Sequence, residues 1–111
     1  MSSSDNVLAQ LMAVIEDRKA NPPAKSYTNT LLAGGVEKIG GKIREEADEV
    51  VEAAAEPGEE GRQHLVREAS DLIYHLFVML AHRDTPLADV EVELARRFGI
   101  SGIDEKASRK Q

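Results

Sequence analysis

Apolar residues fall in four blocks with helical spacing. In the first, Val7, Leu8, Leu11, Met12 and Ile15 recur three and four apart, an interval that places them on one face of a helix. This predicts a helix over residues 4–19, with Ser4 or Asp5 as its N-cap. Asn21-Pro22-Pro23 ends it, because proline disfavours helical backbone in the residue before it. Ser26 or Thr28 is placed to cap a short helical turn over residues 29–32, which Gly34-Gly35 breaks. The second block, Val36, Ile39, Ile43, Ala47, Val50 and Ala54, predicts a helix over residues 36–55. Gly40-Gly41 lies inside it; each glycine costs roughly 1 kcal/mol against alanine there. The pair either interrupts the helix or admits another backbone closely. Glu56-Pro57-Gly58 is a stop.

The third block predicts a helix over residues 59–82, with a stripe of Leu65, Ala69, Leu72, Ile73, Leu76 and Leu80. Tyr74, Phe77, Val78 and Met79 make its second half apolar nearly all round, which marks a helix buried on several sides. So short a chain does not cover such a helix alone, so an oligomer is expected. Thr85-Pro86 opens a fourth helix, with Pro86 suited to its first turn and Leu87, Val90, Leu94 and Phe98 expected to face inward. No strand pattern, repeat or linker is present. The expected architecture is all-α, a four-helix-type bundle, with one domain over residues 1–98 and a flexible tail over residues 99–111.

Composition narrows the function. A chain of 111 residues with net charge −6 lacks the basic face that binds nucleic acid. No apolar run approaches the roughly 20 residues that span a bilayer, and the N-terminus does not have the form of a secretory signal. With no cysteine, disulfides and thiolate metal sites are excluded, in keeping with a reducing cytoplasm.

The chemistry concentrates in two segments. Glu46 and Glu49 stand three apart on the second helix, and Glu68 and Asp71 three apart on the third. Each pair shares a helix face. Two such helices side by side bring four carboxylates together, the oxygen donor set that suits Mg2+ or Mn2+. A lone E-x-x-E is ordinarily a solvated face, but here local rules are broken. Lys38 and Lys42 sit in the first half of the second helix, and Glu49, Glu52 and Glu56 crowd its end, against the helix dipole. Glu45 and Glu49, and Asp48 and Glu52, are like-charged i,i+4 pairs. Glu46 and Glu68 border the apolar stripes. Such violations gather at functional sites. Lys38 and Lys42 are then placed to match the remaining charge of a polyphosphate. His75, one turn past Asp71, is a candidate donor to substrate or a support behind the acids.

With these residues assembled, the chain resembles the phosphoribosyl-ATP pyrophosphohydrolases of histidine biosynthesis, the HisE family. These lie within the all-α nucleoside triphosphate pyrophosphatases that include MazG-like enzymes and dimeric dUTPases. The broad signature is E-x-x-E, a spacer, then E-x-x-D. The narrower features are Ser26-Tyr27-Thr28, Lys38-Ile39, Lys42-x-x-Glu45-Glu46-x-x-Glu49, the run from Glu68 through Asp71-Leu72-Ile73-Tyr74-His75-Leu76, and Glu93-Leu94-x-x-Arg97. Gly40-Gly41 and a longer N-terminal extension depart from the pattern. The resemblance implies a tight homodimer, Mg2+ dependence, and hydrolysis of phosphoribosyl-ATP to phosphoribosyl-AMP and pyrophosphate. It implies Glu46, Glu49, Glu68 and Asp71 as metal ligands. Glu45 is then an extra ligand or the residue that orients the attacking water, and Lys38 and Lys42 offset phosphate charge. Arg97, or Lys106 and Arg109 in the tail, would close over the phosphates. Two alternatives use the same residues: a housekeeping pyrophosphatase of non-standard nucleotides, and a non-catalytic helical dimerisation module.

Overall fold

The computed structural model describes residues 6–98. Four helices follow one another: α1 (Val7–Ala20), α2 (Tyr27–Ala54), α3 (Gly58–His82) and α4 (Leu87–Phe98). Among the described residues there is no strand. Asn6 caps α1, its Oδ1 accepting from the Leu8 N–H at 2.8 Å, so the helix starts later than expected from Ser4. The predicted tail, 99–111, lies outside the described residues.

Ser26 caps α2, its hydroxyl oxygen accepting from the Asn29 N–H at 3.3 Å. The expected break falls at Gly35, whose φ of 69° and ψ of −163° are not helical. That conformation belongs essentially to glycine. The contacts on either side show that the chain folds back there. Thr28 meets Tyr74 and Gly35 faces His82, so this first part of α2 runs the same way as α3. After Gly35 the direction reverses: Gly40 faces Met79, and Glu46 approaches His75. Both parts of α2 therefore flank the second half of α3. Gly40-Gly41 stays helical; a side chain at Gly40 would make only ordinary contact with the tip of Met79, and one at Gly41 would meet nothing, so no close backbone approach explains the pair. In the turn into α3, a side chain at Gly61 would collide with the Glu56 backbone.

The core lies where α1, both parts of α2 and the second half of α3 converge. Met12, Ile15, Leu31, Ile39, Phe77, Val78 and Ala81 are buried, with Ile43, Ile73, Leu80 and Leu87 packed against them. Lys19 fastens α1 to the end of α3. Its ammonium donates to the carbonyls of Ala81 at 2.8 Å and His82 at 3.2 Å and pairs with Asp84 at 2.7 Å. The inward stripe differs from expectation in places. Leu94 is 47% exposed and Phe98 84%, because within one chain only the first turn of α4, at Leu87, reaches the core. Val36 and Leu76 are also exposed. No helix among the described residues is long and apolar enough to cross a membrane.

Candidate active site

The antiparallel pairing of α2 and α3 brings the two acid pairs face to face. Glu46, Glu68 and Asp71 each offer a carboxylate oxygen, and these atoms lie within 4.8 Å of one another. Glu49 joins them from the next turn of α2, its carboxyl facing Glu68 and Glu46. Glu46 was expected at the border of the α2 stripe. It lies inside it instead: Ile39, Glu46 and Ala53 are the buried residues of one heptad line, and Glu46 is only 7% exposed.

Burial of that kind is costly for a carboxylate. Burial first, then the facing carboxyls of Glu68 and Glu49, push Glu46 up to about 7. Glu49 is also raised, chiefly by Glu68. One oxygen of Glu46 and one of Glu68, Oε2 in each, are buried with no hydrogen-bond partner. Buried acceptors are ordinarily satisfied. Unpartnered carboxylate oxygens converging from two helices, beside an exposed Asp71 that opens the group to solvent, are the donor chemistry that fits a hard divalent cation.

On the solvent side of α2, Gly34, Glu37, Lys38, Gly41, Lys42 and Glu45 line an open groove of about 500 Å³. The Lys38 stem lies over Gly34, where any side chain would displace it. Lys42 pairs with Glu45 at 3.6 Å. Both lysines thus stand along one groove, one and two turns before Glu46, and Glu45, next to Glu46 in sequence, lines the same groove.

His75 is buried at the back of the cluster. Its Nδ1 lies 2.8 Å from the Asp71 carbonyl oxygen, so Nδ1 carries the proton and donates. In the neutral ring Nε2 then accepts, and Tyr27 supplies the O–H at 3.0 Å. Nδ1 is also 3.9 Å from Glu46 Oε1. Both nitrogens are therefore engaged within the chain, and His75 supports the acids from behind. Ser26-Tyr27-Thr28 has a structural logic here. Ser26 caps the helix, Tyr27 holds His75 and stacks on Tyr74 with ring centroids 6.2 Å apart, and Thr28 bonds the Tyr74 hydroxyl.

Arg97 is not brought to the acids by any described contact; its Nε pairs with Glu93 on its own helix at 3.5 Å. Lys106 and Arg109 lie outside the described residues. Sequence reasoning missed two residues that contact the candidate site. His64 reaches Glu68 at 3.3 Å, and its place four residues before Glu68 on a helix could have signalled it. Tyr27 was quoted only as part of a motif, and its bond to His75 spans 48 positions.

Residues 8–98 match the family model described as phosphoribosyl-ATP pyrophosphohydrolase. Among similar curated proteins, the phosphoribosyl-ATP pyrophosphatase of Rhodopirellula baltica is 56% identical over 92% of this chain and 85% of its own. That of Dinoroseobacter shibae is 54% identical over 94% and 99%. That of Trichlorobacter lovleyi is 49% identical over the full length of both.

Proposed function

The chain belongs to the phosphoribosyl-ATP pyrophosphohydrolase family of hydrolases, and from that premise we propose that it hydrolyses phosphoribosyl-ATP to phosphoribosyl-AMP and pyrophosphate in histidine biosynthesis, with Mg2+ as cofactor. The observation that carries this reading is the pair of buried, unpartnered oxygens on Glu46 and Glu68, converging with Asp71 beside a groove lined by Lys38 and Lys42.

In this reading Glu46, Glu49, Glu68 and Asp71 hold the cation, and Mn2+ is an acceptable substitute. When bound, the ion supplies Lewis acidity and lowers the pKa of a water. Lys38 and Lys42 bind the remaining phosphate oxygens and offset the charge that develops on the pyrophosphate leaving group. Glu45, at the same groove, orients the attacking water or takes its proton. Water adds across the anhydride between the α and β phosphates, so one oxygen enters and pyrophosphate leaves with the bridging oxygen or without it. His75, fixed by Tyr27 and the Asp71 carbonyl, keeps Glu46 from swinging away. Arg97 is a weaker candidate for phosphate binding, because reaching it would require α4 to close.

The active form is proposed to be a homodimer, or a higher even oligomer, in the cytoplasm. Val51, Leu76, Leu94 and Phe98 are exposed apolar residues that a second copy would cover. Light scattering should give at least twice 12.1 kDa.

Product analysis tests the activity. Incubation with phosphoribosyl-ATP and Mg2+, followed by 31P NMR, should show phosphoribosyl-AMP and pyrophosphate in equal amounts and no orthophosphate. Equal rates on ordinary and damaged nucleoside triphosphates would replace this reading by the housekeeping one.

A further inference from the structure

We propose, on the reading of the acid cluster as a cation site, that His64 is a positioning residue that clamps Glu68 in the rotamer the cation needs. His64 lies on α3, one turn before Glu68. Its Nδ1 is 3.0 Å from both carboxylate oxygens of Glu56, in the turn that ends α2. Its Nε2 is 3.3 Å from Glu68 Oε1. The ring thus bridges the end of α2 to the first half of α3, and its side chain is only 32% exposed.

The consequence falls on Glu68. As the imidazolium, in which both nitrogens donate, the ring engages one oxygen of Glu68, and the other, Oε2, is left buried without a partner among the acids. A glutamate has three rotatable side-chain bonds, and fixing them costs entropy. Glu46 and Glu49 face Glu68 with like charge, so an untethered Glu68 would turn towards solvent. Held by His64, it is ordered before any cation arrives. Residues that orient a metal ligand from behind raise affinity in this way. His64 touches neither the groove nor the lysines, so it acts through Glu68 and is not itself catalytic.

The effect is read without substrate. Mn2+ is titrated into the wild-type chain, H64L and H64Q, and free Mn2+ is followed by electron paramagnetic resonance. H64L keeps the bulk and removes the donor, and should bind roughly tenfold more weakly. H64Q offers an amide N–H at the same i,i+4 spacing and should stay within about threefold of wild type. Thermal unfolding in EDTA checks that each variant is folded. Wild-type affinity in a folded H64L overturns the proposal, whatever its melting temperature. Tighter binding by H64L overturns it too, since the ring would then chiefly repel the cation. Should H64L fail to fold, E56Q carries the test: it loosens the ring without removing it. A loss of affinity is expected, and none overturns the proposal. A wild-type chain that takes up no Mn2+ removes the cation reading itself, and the His64 proposal with it.

Discussion

Along α3, residues 74–82 and residues 64–71 pack beside the same helix, α2, with opposite chemistry. In the first stretch Phe77, Val78 and Ala81 are buried in apolar contacts. The polar groups there are matched. Tyr74 bonds Thr28, His75 bonds Tyr27, and the final carbonyls receive the Lys19 ammonium, a cation at a helix C-terminus as the dipole favours. In the second stretch Glu68 and Asp71 meet Glu46 and Glu49 across the interface, and two buried oxygens have no partner. The contrast separates what holds the chain together from what it is folded to present. In residues 74–82, Leu76 apart, apolar burial and matched polar groups lower the free energy of the fold. Residues 64–71 break that pattern at one place, where a bound cation or a shared proton would supply the missing partners.

The sharpest way to test that separation is to remove charge from the centre of the cluster. Glu46→Gln keeps the shape and mimics the protonated acid. Activity should fall by at least a thousandfold, equivalent to about 4 kcal/mol of transition-state stabilisation. In EDTA at pH 8, by contrast, the variant should be no less stable than wild type, because it relieves a buried like-charge contact. Mg2+ should then raise the melting temperature of wild type and leave that of the variant unchanged. Lower stability of Glu46→Gln in EDTA would mean that the acid is a structural element and the contrast false.

A second prediction uses pH. In the metal-free fold Glu46 is held up to about 7, first by burial and then by its carboxylate neighbours, against 4.5 in an ordinary setting. A carboxyl raised on folding leaves stability intact below about 4.5 and removes it as pH climbs through about 7. The loss is about 3 kcal/mol if Glu46 alone is counted. His64, raised by Glu56, contributes stability below its unfolded value and loses it as pH rises, so it acts in the same direction. Urea unfolding in EDTA between pH 5 and 8 should therefore show falling stability. Glu46→Gln should keep only the smaller slope that His64 and Glu49, both still raised, supply, and saturating Mg2+ should flatten the wild-type curve. Stability that is level or rising over this range would contradict the placement of Glu46.

These differences also show what the residues could reveal before any coordinates. The helices were legible because their apolar spacing is regular; a glycine pair alone was an ambiguous signal, since Gly34-Gly35 breaks α2 and Gly40-Gly41 does not. The acid pairs were legible because i,i+3 spacing fixes a shared face. The depth of Glu46 was not. Of the stripe drawn through Val36, Ile39, Ile43, Ala47, Val50 and Ala54, Ile39 and Ile43 do reach the core, but the buried line continues through Glu46 and Ala53 rather than Ala47 and Ala54. Phe98 and Leu94 read as core because their spacing is right, yet periodicity does not say whether a partner surface exists in the same chain. The Tyr27–His75 and Lys19–Asp84 pairs span 48 and 65 positions. No local pattern announces contacts of that kind; topology creates them.

The smallest effect is expected at the orthodox end of α3. Lys19→Met keeps most of the stem and deletes the ammonium that the Ala81 and His82 carbonyls accept from. Those carbonyls can turn to water, so no buried acceptor is stranded, and the loss should be about 1 kcal/mol. For a domain of this size that lowers the melting temperature by roughly 4–8 °C. Mn2+ affinity and kcat/KM at 25 °C should stay within about twofold of wild type, since Lys19 ties α1 to residues a full helical turn or more beyond His75. Thermal unfolding and steady-state rates on the same preparation check both halves of this expectation. A clear drop in kcat/KM would mean that the position of the α3 terminus is transmitted to the carboxylates, and that stability and site are not separable along this helix.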